Sequence, residues 1–154
     1  MADRKEFRGQ VDFVGSIGKL ADPLTITAHT DSTLTAEAGK EYVLDRAAGV
    51  NVTLPTPTVG ARISFVVKTT VTSNTHTFTT PAGTALVGYL KMLDVDGTVA
   101  MKYFESDGSD RIINLNGTTK GGILGDTISF VGTATGWNVR GDLSGTGTTT
   151  NPFE

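Results

Sequence analysis

Between Glu41 and Lys68 the chain writes one pattern three times over, EYVLDRAAGVNVTLPTPTVGARISFVVK. Tyr42 and Leu44, then Val50, Val52 and Leu54, then Ile63, Phe65 and Val67 are spaced two residues apart. In an extended chain successive side chains point to opposite faces, so each set lies on one face. The spacing predicts three short strands in succession, each burying one side. Ala47-Ala48-Gly49 can turn the chain once, and Pro55-Thr56-Pro57-Thr58-Val59-Gly60 makes a wider, stiffer bend. Proline fixes φ and has no N–H, so neither Pro55 nor Pro57 can continue a central strand. Gly60 can take dihedrals that other residues avoid.

The rest of the chain repeats the theme. Leu24, Ile26 and Ala28 alternate with Thr25 and Thr27, and Thr33 to Glu37 starts again after Asp31-Ser32. Leu86 to Leu93 and Thr98 to Phe104 flank Asp96-Gly97, a strong hairpin signal because both residues tolerate positive φ. Ile128 and Phe130 alternate within DTISFVG, and Thr135-Gly136 turns into Trp137 to Arg140. Strands at spacings of about 8–12 residues, with no helical period, predict an all-β fold. The expected architecture is an antiparallel β-sandwich, jelly-roll-like or a tulip-like barrel, of about nine or ten short strands. Three regions are expected: an N-terminal arm over 1–20, a β-sandwich domain over 21–141 and a flexible C-terminal tail over 142–154. Charges and apolar residues alternate in the arm, and glycines 9, 15 and 18 oppose a long helix there. Arg4, Phe7, Arg8, Val11 and Phe13 are the residues with which such an arm would dock on a partner. In the tail, Phe153 is the alternative anchor.

Composition narrows the functions. A net charge of −3 argues against a broad electrostatic surface for nucleic acid or an anionic membrane. With no cysteine there is no disulfide, thiolate nucleophile or cysteine metal site. No apolar run approaches the roughly 20 residues of a membrane-spanning helix, and no apolar signal core stands at the N-terminus. Synthesis and folding in the cytoplasm are expected.

Signals for chemistry are sparse. His29 and His76 are the two histidines, without ligand spacing, and surface positions are expected for both. No G-x-S-x-G occurs, and Gly18-Lys19-Leu20 and Gly39-Lys40-Glu41 lack the frame of a phosphate loop. Asp94, Asp96, Glu105, Asp107 and Asp110 form an acidic stretch. Asp94, Asp96 and Glu105 match three positions of a calcium loop, but Thr98 and Val99 stand where a further oxygen ligand and a glycine are needed. Two turns with solvated acids are expected, with no metal, no cofactor and no catalytic set. Tyr42, Phe65, Phe78, Phe130 and Trp137 fall at inward positions, whereas adjacent Tyr103 and Phe104 must face opposite sides.

Three segments carry a resemblance. Glu41-Tyr42-Val43-Leu44-Asp45, then Val52-Thr53-Leu54-Pro55 with Pro57 and Gly60, then Ile63 to Val67, resemble the small β-domain of tailed-bacteriophage structural proteins. These include head decoration (cement) proteins and some tail-fibre modules. Gly125 to Val131 followed by Gly136 to Gly141 is similar to that domain's closing hairpin. The resemblance covers about residues 33 to 141 and rests on turn and core residues: Leu54, Pro55, Pro57, Gly60, Phe65, Phe130 and Trp137. It implies a non-enzymatic virion component, commonly a homotrimer, on the outer capsid surface where subunits of the major capsid protein meet. A compact body with arms favours the head, because many weak arm contacts act together. The alternative is a tail-fibre or receptor/glycan-binding module, marked by an exposed aromatic or polar groove. An enzyme would instead show converging carboxylates around Asp94 to Asp110.

Overall fold

Alternating sequences become strands where one face finds a core, and in this protein they find it between two sheets. The computed structural model describes residues 26, 28–96 and 100–154, which hold eleven strands and no helix. In chain order these are β1 (Ala28–His29), β2 (Thr33–Thr35), β3 (Lys40–Leu44), β4 (Asn51–Thr53), β5 (Arg62–Val67) and β6 (His76–Thr79). Then come β7 (Ala85–Asp94), β8 (Ala100–Glu105), β9 (Ile112–Leu115), β10 (Thr127–Gly132) and β11 (Gly136–Gly145). A seven-stranded sheet has the order β1-β3-β5-β10-β11-β7-β8, and a four-stranded sheet has the order β2-β4-β6-β9.

All-β is the observed class. Both sheets are mixed, which corrects the antiparallel expectation. Up to β6 the chain steps from one sheet to the other at every strand, so β1, β3 and β5 align in parallel, as do β2, β4 and β6. The reason lies in the connections of the Glu41–Lys68 stretch. The turn at Ala47-Ala48-Gly49 and the Pro55–Gly60 bend do not fold one strand back on its predecessor. Each carries the chain across the core, which a proline-stiffened bend of this length can span. Antiparallel pairing enters with β8 on β7, β9 on β6, and β10 between β5 and β11. The hairpins expected at Asp96-Gly97 and between Val131 and Trp137 are formed, with ladders running from Asp94↔Ala100 and from Gly132↔Trp137. The tip of the first, residues 97–99, lies outside the described residues, as does the proposed arm over 1–20.

The core fills the space between the sheets. Leu44, Val52, Leu54, Ile63, Phe65, Phe78, Leu90, Ile128, Phe130 and Trp137 are all essentially inaccessible to solvent. Phe65 meets Phe78 edge-on at 4.9 Å and Phe130 at 5.9 Å, and Phe130 meets Trp137 at 6.5 Å. The Trp137 indole Nε1–H donates to the Pro55 carbonyl at 3.0 Å. This fixes the proline bend against β11 and satisfies a buried donor. Pro57 is half-buried beside it.

Residues 142–154 depart from the flexible-tail expectation. Residues 142–145 complete β11, and Pro152 and Phe153 are buried. Phe153 bridges to Ile113, and the Glu154 and Ile112 backbones exchange hydrogen bonds of 2.9 Å. Phe153, considered as the anchor of a second docking arm, packs instead into this chain's own core at the β9 edge.

Two glycines separate conformational from steric need. Gly60 has φ +83° with nothing within 4 Å of the position a Cβ would take. At Gly49, φ is +75° and a Cβ would lie 2.1 Å from the Thr75 carbonyl oxygen. Gly60→Ala is therefore expected to cost about 1 kcal/mol in denaturant unfolding, from the left-handed backbone alone. Gly49→Ala is expected to cost about 3 kcal/mol, because the neighbouring backbone must also move. Equal costs would contradict this reading.

Candidate interaction surface

Strand alternation puts one side chain in two on the outer face of the seven-stranded sheet. On β7 these are Val87, Tyr89, Lys91 and Leu93, and on β8 they are Met101, Tyr103 and Glu105. Arg140 and Asp142 of β11 stand beside Tyr89 and Lys91 in the parallel register. Tyr103 is 65% exposed and Met101 50%. Phe104, one residue on, turns inward and packs against the core, as adjacency requires.

Arg140, Lys91 and Asp142 on this face each have a partner. The Arg140 guanidinium lies 4.3 Å from the Tyr89 ring centroid, a cation–π contact. Lys91 pairs with Asp142, whose carboxylate raises the Lys91 ammonium above its usual value. Both groups of that pair are solvent-accessible, so it adds little stability. Tyr89 and Tyr103 meet edge-on, with centroids 5.9 Å apart and planes at 62°. Two rings so inclined do not make the flat stacking floor that a sugar ring uses, and Arg140 already covers Tyr89. Next to them is a shallow depression lined by Glu41, Ser64, Thr127, Ser129, Arg140 and Asp142.

The acidic stretch does not converge. Asp94 pairs with Lys102 at 3.2 Å at the hairpin end of β7, whereas Glu105 stands at the other end of β8. Five residues of strand separate the two by about 17 Å. Asp107 accepts from the Ser109 N–H at 2.7 Å and the Asp110 N–H at 3.2 Å, so it closes a turn. The hydrogen bonds from Ser109 hold its carboxyl below the usual value. Among the described residues no group of three or more His, Asp or Glu is placed to hold a metal ion.

Two buried polar groups escaped the sequence reading. Asp126 is almost fully buried and accepts from the Gly122 N–H (2.8 Å), the Ile123 N–H (3.0 Å) and the Ser144 N–H (2.8 Å). Burial pushes its carboxyl up, and the three donors work against that shift. Its work is structural: it ties the glycine-rich connection to β11. His29 is half-buried and bonds the Thr33 carbonyl at 2.9 Å. His76, expected at the surface, is fully buried. It alternates inward with Phe78 on β6, and that two-residue step was the available signal. Its Nδ1 accepts from the Val50 N–H at 3.1 Å, which leaves the proton of the neutral ring on Nε2, a buried atom with no hydrogen-bond partner among the described residues.

Arg4, Phe7, Arg8, Val11 and Phe13 lie outside the described residues. Leu54, Phe65, Phe130 and Trp137 lie in the core, and Pro55, Pro57 and Gly60 lie in the bend between β4 and β5. No family model, curated protein or solved structure matches this chain.

Burial pushes His76 down to about 4 from the ordinary 6.5. The unfolded chain therefore takes up a proton that the folded chain refuses. The stability tied to the neutral ring is fully present above about pH 6.5 and drains as pH falls toward 4. The loss over that window should reach about 3 kcal/mol. Asn at position 76 can accept from Val50 without titrating, so His76→Asn should flatten this part of the stability–pH curve. Parallel curves for the two proteins would contradict the assignment.

Proposed function

We propose that this chain is a non-enzymatic structural protein of a tailed-phage virion. Specifically, it is a head decoration (cement) protein that binds the outer capsid surface where shell subunits meet. The observation that carries this reading is where the protein uses its polar groups. Asp45, Asp94, Asp107, Asp126 and His76 are each engaged in holding local structure. What remains exposed is a broad sheet face with large apolar side chains, suited to contact with protein. The turn and core residues from Tyr42 to Val67 and from Gly125 to Gly141 support the same family. We read the two sheets as a sandwich, because among the described residues β1 and β8 are separate edges that do not pair with each other.

In this reading Arg4, Phe7, Arg8, Val11 and Phe13 dock on the major capsid protein, while the β-body associates with further copies of itself. Neither nucleic acid, membrane nor cofactor takes part, and the site of action is the outside of the virion. Individual arm contacts are weak and act through multiplicity. The inclined, Arg140-capped tyrosines disfavour the glycan-binding tail module.

The test is the copy number in purified virions by quantitative mass spectrometry. A number comparable to the shell protein is expected, and a handful of copies would move the protein to the tail. Deleting Met1 to Phe13 should abolish binding to expanded heads and leave the melting curve of the body unchanged. Undiminished binding would overturn the docking role of the arm.

A further inference from the structure

Among the described residues β8 is the outer strand of the seven-stranded sheet, with β7 its only ladder partner. Which of its backbone groups face outward follows from the hydrogen-bond alternation of an antiparallel pair. The Ser106 N–H donates to the Gly88 carbonyl at 3.0 Å, so Ser106↔Gly88 is a hydrogen-bonded pair. Stepping by two, Phe104, Lys102 and Ala100 also bond toward β7. Met101, Tyr103 and Glu105 therefore direct their N–H and C=O groups away from the sheet, and none of these has a partner among the described residues.

An extended edge of this kind is a template for another strand unless it is blunted or covered. The protein covers the comparable edge of its small sheet, where Phe153 and Glu154 pair along β9. At β8 the surroundings are apolar instead. Five of the eight exposed large hydrophobics among the described residues belong to this hairpin: Val87, Tyr89, Val95, Met101 and Tyr103.

We propose that the β8 edge is a contact between two copies of this chain, which pair β8 to β8 antiparallel about a two-fold axis at Tyr103. The outward row is its own complement in that register. Tyr103 faces Tyr103 of the second copy, and Met101 faces Glu105 of the second copy. The arrangement makes about six inter-copy hydrogen bonds, two for each outward-facing pair. On the opposite face Lys102 meets Phe104 of the second copy. No like charges are opposed directly, since neither Glu105 nor Lys102 meets itself. The tyrosine pair adds an aromatic cross-strand contact at the centre. Such a contact is isologous and closes at two copies, unlike the threefold assembly that the family resemblance implies.

The experiment uses the full chain at concentrations up to about 1 mM, where even a weak contact is populated. Sedimentation should give twice the chain mass. Residue-resolved amide exchange should show Met101, Tyr103 and Glu105 protected by at least about 100-fold at dimer-populating concentrations, and unprotected on dilution. Met101→Lys with Tyr103→Lys should return the protein to a monomer with unchanged Trp137 fluorescence, because both side chains are exposed. Tyr103→Lys alone serves if the double variant does not fold. Val59→Lys, at a 78% exposed position in the Pro55–Gly60 bend, should leave the dimer intact. Several results would overturn the proposal: a monomer throughout, a trimer, a dimer that survives the edge lysines, or concentration-independent protection of these amides. The last would mean that the chain's own N-terminal segment covers the edge.

Discussion

The contact on which the rest of the structure depends is the aromatic junction between the two sheets. No strand of the seven-stranded sheet pairs with a strand of the four-stranded one, so side chains must hold the layers together. Phe65 on β5 and Phe78 on β6 meet across that gap, with Phe130 against both. Edge-on packing of such rings adds about 0.5–1.5 kcal/mol per pair beyond the area buried. Trp137 extends the junction and, through its indole N–H, holds the Pro55 bend in place. The chain that alternates between sheets from β1 to β6 is thus closed on itself by side chains at the point where β10 and β11 join.

How much of this was legible follows from the range of each interaction. Inward and outward positions were legible because the two-residue period is local: Phe65, Phe78, Phe130 and Trp137 are buried, and Tyr103 and Phe104 separate as adjacency demands. Sheet membership was not. Ala47-Ala48-Gly49 looks like a turn between neighbouring strands, yet β3 pairs with β5 and leaves β4 to the other sheet. Parallel pairing joins residues about two dozen apart, such as Val43 and Val66, and no local signal records the choice. His76 belongs with the legible features in principle, since it alternates with Phe78, but its residue type suggested the surface.

Sequence proximity does not bring the acids together. Asp94 and Glu105 look like one cluster and are held apart by the length of a strand that pairs along its whole extent. Residues 142–154, rich in Gly, Ser and Thr, looked like a solvated tail. Two residues reverse that impression, Pro152 and Phe153, because a small sheet with an open edge beside a core gains from being capped. Among the described residues, most of the large apolar side chains left exposed gather on the outer face around Tyr89 and Tyr103 and beside the edge of β8.

The Phe65–Phe78 contact couples two layers that share no backbone ladder. A double-mutant cycle of Phe65→Leu and Phe78→Leu, followed by denaturant unfolding, tests it most directly. A coupling of about 1 kcal/mol between the two sites is expected. Costs that add to within about 0.3 kcal/mol would contradict it.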